Sequence, residues 1–294
     1  MREVVVISGK GGTGKTSISS SYAYLASKDA VVCDCDVDAA NMHLLLDADF
    51  KEQEDFYSGE LAVIDPNLCN NCGKCFDVCR FDAISKEPEY HAVDPISCEG
   101  CHYCSRVCPN GAIEMVTQKA GDLFVSEIKT GAKMVHAKLG FGAENSGKLV
   151  SKVKRVGKEM ALKEDKEYVI TDGSPGIGCP VISSLSGANL VVLVTEATVS
   201  GLHDLKRVHQ LTKTFNLKVV AIINKCDLNG EITKKIHDYL SKEGVQVIAS
   251  LAYDENFTKA MSVAKPIVEF DRNCEISQQL EMSWKTITNF LKEN

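Results

Sequence analysis

The run Val4-Val5-Val6-Ile7 leads within two residues into Gly9-Lys10-Gly11-Gly12-Thr13-Gly14-Lys15-Thr16. A short β-branched run suits a buried parallel strand. The segment after it matches the phosphate loop G-x-x-x-x-G-K-[ST], whose setting is a strand before and a helix after. Few features constrain a fold more tightly, because strand end, loop and helix start must all meet at one ligand crevice. Gly9, Gly11, Gly12 and Gly14 let the backbone wrap phosphates, while Thr13 and its neighbours offer successive N–H groups at the start of a helix. Lys15 is expected to reach the β and γ oxygens and Thr16 to ligate Mg2+, with Ser17 completing the binding stretch.

Further apolar runs follow at intervals. Ala30 to Asp38 is expected to be a second strand ending in carboxylates, among them Asp36 and Asp38. Tyr168 to Asp172 repeats the strand-then-carboxylate pattern and leads into Gly173-Ser174-Pro175-Gly176. Carboxylates at the C-terminal ends of strands face the ligand crevice in open α/β sheets. Leu190 to Thr195 and Val219 to Asn224 add two strands, and Leu202 to Phe215 is helix-forming. The alternation predicts an α/β fold, a doubly wound and mostly parallel sheet of the P-loop NTPase type.

A second kind of signal interrupts this pattern. Cys69-x2-Cys72-x2-Cys75-x3-Cys79 recurs as Cys98-x2-Cys101-x2-Cys104-x3-Cys108-Pro109. A shift of 29 positions carries Cys69 onto Cys98, Asp65-Pro66 onto Asp94-Pro95 and Ala83-Ile84 onto Ala112-Ile113, so this is an internal repeat. Zinc ribbons need two well-separated CxxC pairs and disulfides need an oxidising compartment, so both fit poorly. The spacing resembles that of bacterial ferredoxins with two [4Fe–4S] clusters. That resemblance implies one cluster on Cys69, Cys72, Cys75 and Cys108, and the other on Cys98, Cys101, Cys104 and Cys79. Arg80 stands where the second cassette has Pro109, a departure that removes no ligand.

With its extra lysine, Lys10, the loop resembles the deviant Walker A sequence KGGxGKT of the MinD/ParA/Mrp superfamily, which also contains the nitrogenase iron protein. The resemblance implies an ATP-dependent homodimer in which Lys10 reaches the partner's phosphates. It assigns Asp36 to positioning the attacking water, with Asp38 its neighbour. Asp172 would hold Mg2+ through water, and Pro175-Gly176 would sense the γ-phosphate. Asn224-Lys225-Cys226-Asp227 also matches the guanine-reading NKxD of GTPases, which leaves a GTP-specific version open. In MinD-like proteins the asparagine contacts adenine, which here is Asn224, and Asp254 lies in a matching late loop. The chain then divides into a discontinuous MinD-like ATPase domain, residues 1–59 and 119–294, and an inserted 2[4Fe–4S] ferredoxin domain, residues 60–118.

Cys179 lies seven residues after Asp172, an offset that resembles a ligand of the inter-subunit cluster in the nitrogenase iron protein. No cysteine stands near Asn145-Ser146 to complete such a set. Cys33, Cys35, Cys226 and Cys274 have no ligand spacing and are expected to pack as small apolar groups. His136 and the stretch from Gly142 to Lys148 are expected to form a mobile loop. Ile276, Leu280, Trp284, Ile287 and Leu291 form one helical stripe. The polar face mixes Glu281 and Glu293 with Lys285 and Lys292, so packing onto the sheet is expected rather than a membrane anchor.

No apolar run of roughly 18 residues is present and the chain starts directly as a strand, which predicts a cytoplasmic protein without span or signal peptide. A net charge of −7 argues against non-specific nucleic-acid binding. The expected function is Mg-ATP binding and hydrolysis coupled to two [4Fe–4S] clusters. It would serve electron transfer to a redox partner or assembly of iron–sulfur and metallocofactors. The alternative is a redox-sensing, ATP-dependent switch that positions partner proteins.

Overall fold

The computed structural model describes residues 1–140 and 142–293. Along the chain the strands are β1 (Arg2–Ser8), β2 (Ala30–Asp34), β3 (Glu52–Ile64), β4 (Ile84–Lys86), β5 (His91–Val93), β6 (Ile113–Glu127), β7 (Lys133–Leu139), β8 (Tyr168–Asp172), β9 (Leu190–Glu196), β10 (Val219–Asn224) and β11 (Gln246–Ser250). The helices are α1 (Lys15–Ala26), α2 (Met42–Leu46), α3 (Lys74–Val78), α4 (Tyr103–Val107), α5 (Ser146–Lys163), α6 (Cys179–Leu185), α7 (Val199–Thr214), α8 (Gly230–Lys242), α9 (Asn256–Ser262), α10 (Ile267–Phe270) and α11 (Glu275–Glu293). The chain forms two compact units, one of residues 1–54, 123–138 and 146–294, the other of residues 55–122 and 139–145.

Within the first unit the strands of the larger sheet run in the order β11-β10-β9-β1-β8-β2-β7. In the first unit β1 pairs in parallel with β8 and β9, β9 with β10, β10 with β11, and β2 with β8 and β7. This is the expected doubly wound, mostly parallel α/β architecture. Its strands are near-continuous apolar runs because both faces are covered. One face packs Val4, Val6, Ile170, Val192 and Ile222 against α1 and α11. The other packs Val5, Ile7, Leu193 and Ile223 against residues of α6, α7 and α8. The stripe on α11 turns inward as expected: Ile276, Leu280, Trp284, Ile287 and Leu291 are all buried in the first of these cores. No described helix is long and apolar enough to cross a membrane.

Two expectations are corrected. The strand predicted to continue to Asp38 ends at Asp34. There the carboxylate accepts hydrogen bonds from the backbone N–H of Asp36 at 3.1 Å and of Met42 at 3.2 Å, which turns the chain out of the sheet. His136 belongs to no mobile loop. It sits in β7, 2 % exposed, and shares a 2.9 Å hydrogen bond with Ser126 Oγ. Burial, and then the neighbouring His43, push its imidazole down to about 4, so the ring is neutral at physiological pH. Helix α5 takes up the end of the glycine-rich stretch from Ser146, and position 141 lies outside the described residues.

The second unit carries the repeat. Helices α3 and α4, 29 positions apart, pack together, and β4 and β5 form a short antiparallel pair. Ala62, Ile64, Cys75, Ile84 and Ile113 make its small core, against which Cys69, Cys79, Cys98, Cys104 and Cys108 pack. Val93 and Met115 complete its apolar packing.

Leu280 is fully buried in α11. Truncating it (Leu280→Ala) is expected to lower stability by about 2–5 kcal/mol, measured as a fall in the urea midpoint at unchanged slope. A tail acting as a membrane anchor would instead lose vesicle binding while keeping its midpoint.

Candidate nucleotide-binding site

The loop after β1 is held open by its glycines. Gly12 and Gly14 have φ of +77° and +91°. A Cβ on Gly14 would stand 2.4 Å from Asn224 Nδ2. Gly14 caps α1 with no side-chain hydrogen bond, so the first N–H groups of the helix face the crevice. Ser8 Oγ donates to the Lys10 carbonyl at 2.7 Å, and Gly176 N donates to the Ser8 carbonyl at 2.9 Å.

At the crevice floor Lys15, 5 % exposed, places Nζ 2.9 Å from Asp172 Oδ1 and 3.5 Å from Asp36 Oδ2. Burial alone pulls its ammonium down, but Asp172, then Asp36, outweigh that and hold it above the ordinary lysine value. Thr16 Oγ1 donates to Asp172 Oδ2 at 2.7 Å, and Ser19 Oγ to Asp172 Oδ1 at 2.7 Å. Asp36 is partly buried, which raises its carboxyl, with Lys15 opposing. Asp38 is exposed and Ser17 half-buried, Ser17 Oγ lying 3.8 Å from Met261 Sδ. The Asp172-to-Gly176 turn is tied to the loop after β2 by Ser174 Oγ, which donates to the Cys35 carbonyl at 2.5 Å.

Lys10 lies on the opposite lip. Its ammonium is 2.7 Å from Glu196 Oε1 and donates to Ser200 Oγ at 2.8 Å. Lys225 binds the other oxygen of the same carboxylate at 3.0 Å and donates to the Gly12 carbonyl at 3.1 Å. Burial raises the Glu196 carboxyl, and the two lysines more than offset it, holding it below the usual glutamate range. Asn224 Nδ2 donates to the Thr13 carbonyl at 2.8 Å. Asp227 accepts from Tyr253 N at 2.6 Å, and Asp254 accepts from Asn256 N at 2.7 Å, each holding backbone of the late loop.

The structure therefore gathers Lys15, Thr16, Asp36 and Asp172 at one point, with Asn224 against the loop backbone. Pro175 lies in the turn after Asp172, while Asp38 and Asp254 join no cluster around Lys15. Sequence reasoning missed Glu196, Ser19 and Asp34. Glu196 ends β9 and was open to the same strand-end rule as Asp36. Ser19 lies four residues after Lys15 on α1, one helical turn on. Cys33 and Cys35 are fully buried, and burial pushes the Cys33 thiol up to about 12. Cys179 is exposed at the start of α6.

In the second unit the eight cassette cysteines sort into two cavities. Cys69, Cys72, Cys75 and Cys108 line one, and Cys79, Cys98, Cys101 and Cys104 the other. Among the described residues no three His, Cys, Asp or Glu side chains converge as ligands of a single metal ion.

Strand, glycine loop, buried lysine and strand-end carboxylates define a P-loop nucleotide-binding protein of the doubly wound α/β class. Residues 4–267 match the model of the CobQ/CobB/MinD/ParA nucleotide-binding domain family, and the chain belongs to that family. It is 33% identical over 291 residues to the uncharacterized protein MJ0578 of Methanocaldococcus jannaschii, covering 98% of this chain and 97% of the relative. The structure is similar to the cell division ATPase MinD of Pyrococcus furiosus, with a TM-score of 0.59 at 16% identity over 98% of this chain and 99% of that one. It is also similar to the septum site-determining protein MinD of Pyrococcus horikoshii OT3 complexed with Mg-ADP, with a TM-score of 0.58 at 16% identity over 97% and 95% of the two chains.

Removing Lys15 leaves Asp172 as a buried, unpaired charge. Lys15→Met is expected to cost nucleotide-free protein about 3–5 kcal/mol in urea unfolding, with Lys15→Met/Asp172→Asn recovering most of it. Burial, and then Asp172, push the Asp34 carboxyl from 3.8 up to about 7. Carboxyl-detected NMR should show that titration near neutrality. Between those two values the native state keeps a proton that the unfolded chain has released, so this group's contribution to stability falls as pH rises.

Proposed function

We propose that this chain is a Mg-ATP-dependent switch of the MinD/ParA type whose inserted ferredoxin-like segment, residues 60–118, holds two [4Fe–4S] clusters and makes partner engagement sensitive to redox state. The observation that carries the nucleotide half is buried Lys15 held between Asp172 and Asp36 at the floor of the phosphate-loop crevice. Lys15 binds the β and γ oxygens, and Lys10, leaving Glu196, adds positive charge at the γ-phosphate of a dimer partner. Asp36 orients the attacking water in line with the bond to be broken, so positioning and electrostatics supply most of the rate. Thr16, and through water Asp172, would hold Mg2+, which would offset phosphate charge. ATP is favoured over GTP because Asp227, the guanine-reading position of NKxD, is engaged with Tyr253 N while Asn224 lies on the loop.

The redox half is supported by the two cavities. Each brings together four thiols, the donor set of a [4Fe–4S] cluster, and each takes its fourth from the other cassette. A polynuclear core takes its thiolates spread around several atoms rather than converged on one ion. A bound cluster supplies one-electron exchange. Positioning of partner proteins by a cytoplasmic homodimer is the use that the MinD and ParA likeness favours. Electron delivery or metallocofactor assembly is the second reading, favoured by there being two such cavities in one unit.

Anaerobically prepared protein is expected to contain iron and sulfide for two clusters per chain. Cys75→Ala and Cys108→Ala should each abolish the same one, read by EPR. Mg-ATP hydrolysis, lost in Lys15→Ala, is expected to differ severalfold between oxidised and dithionite-reduced samples. Equal rates with full iron would overturn redox control of the switch.

A further inference from the structure

His91 is 2 % exposed in β5, and neither of its ring nitrogens has a hydrogen-bond partner. It lines the same cavity as Cys69, Cys72, Cys75 and Cys108. The ring faces the loop between Cys72 and Cys75. A Cβ built on Gly73 there would lie 3.9 Å from His91 Nε2 and 3.9 Å from Lys86 Cε. Lys86 is paired opposite His91 in the β4–β5 ladder, but its ammonium is engaged elsewhere, 4.2 Å over the Phe76 ring and 3.9 Å from Asp77. A neutral imidazole always carries one N–H donor, and leaving it unmet in a protein interior costs about 1–3 kcal/mol. A buried imidazole unpartnered at both nitrogens, in a wall that carries the four thiols beside Asn70, Lys74 and Asn110, marks an acceptor within that cavity.

The repeat allows the two cavities to be compared position by position. The shift of 29 that lays one cassette on the other places His91 on Ala62, as it places Asp94 on Asp65. Ala62 lines the second cavity, where it offers no donor. The histidine at that second cavity, His102, is half-exposed and already bound to Glu60 Oε2 at 2.5 Å. The two sites are thus matched in thiols, while their walls differ at several positions, Lys74 against Tyr103, Asn110 against Phe81 and His91 against Ala62 among them.

Resting on the two-cluster reading above, we propose that His91 donates a hydrogen bond to a sulfur of the cluster held by Cys69, Cys72, Cys75 and Cys108. It thereby sets that cluster's reduction potential above that of its twin. Reduction adds negative charge to the core, and a donor aimed at a sulfur stabilises the reduced form more than the oxidised one. With four cysteines already lining the cavity, His91 is a positioning and tuning residue rather than a ligand. The inequality gives an electron held by the pair a preferred end, the one nearest His91.

The test uses the full chain prepared anaerobically, with iron and sulfide quantified and both clusters followed by EPR during redox titration. The unsubstituted chain should show two distinct potentials. His91→Phe should keep all its iron and move only the higher potential downward, towards the other. His91→Gln, which retains a donor, should restore part of the gap. Ala62→His, the reciprocal change, should raise the lower potential. Full iron with both potentials unmoved in His91→Phe would overturn the role of His91 while leaving the two-cluster reading intact. Loss of one cluster in His91→Phe would overturn it in favour of ligation. Absence of clusters from the unsubstituted chain would overturn both. Should His91→Phe not fold, ENDOR on the reduced, 15N-histidine-labelled protein decides. An exchangeable proton and a histidine nitrogen coupled to one cluster support the proposal, and neither coupling refutes it.

Discussion

The contact on which the first unit depends is the ion pair between Lys15 and Asp172, reinforced by the hydroxyls of Thr16 and Ser19. Asp172 is fully buried, and a carboxylate there is tolerable only while every lone pair that faces protein has a donor. Meeting that demand pins the start of α1 to the end of β8. That same constraint aims the helix N-terminus at the crevice and leaves Asp36 within reach of the lysine. The loop's shape is therefore a consequence of electrostatic satisfaction beneath it as much as of its glycines.

What was legible in the sequence follows from how local each cause is. The phosphate loop, the apolar strands and the stripe on α11 announce themselves because a fixed period or spacing carries them. Asp34 was hidden because its role is to end a strand by accepting two backbone N–H groups, the second eight residues away. His136 was misjudged because a polar residue in a glycine-containing neighbourhood looks like surface until the strand pairing that buries it is known. Glu196 was overlooked because both its partners, Lys10 and Lys225, are far from it in sequence, although its place at a strand end was open to inference.

The cassette repeat shows the opposite balance. The resemblance to two-cluster ferredoxins implied which cysteines belong together, and the same crossed sets line two cavities. The repeat's departures from symmetry were where sequence similarity was least instructive. Arg80 against Pro109 is visible at once, yet His91 against Ala62 acquires meaning only when burial and unmet nitrogens are known.

Glu196 divides its two oxygens between two lysines from different parts of the crevice. Such a shared counter-ion makes the two cations competitors. Whatever draws Lys10 away, a phosphate above all, leaves the full carboxylate charge to Lys225, which then has less cause to hold the Gly12 carbonyl. The backbone of the phosphate loop would thereby gain freedom at the moment its signature lysine is engaged elsewhere. One carboxylate thus ties the charge state of one lip of the crevice to that of the other.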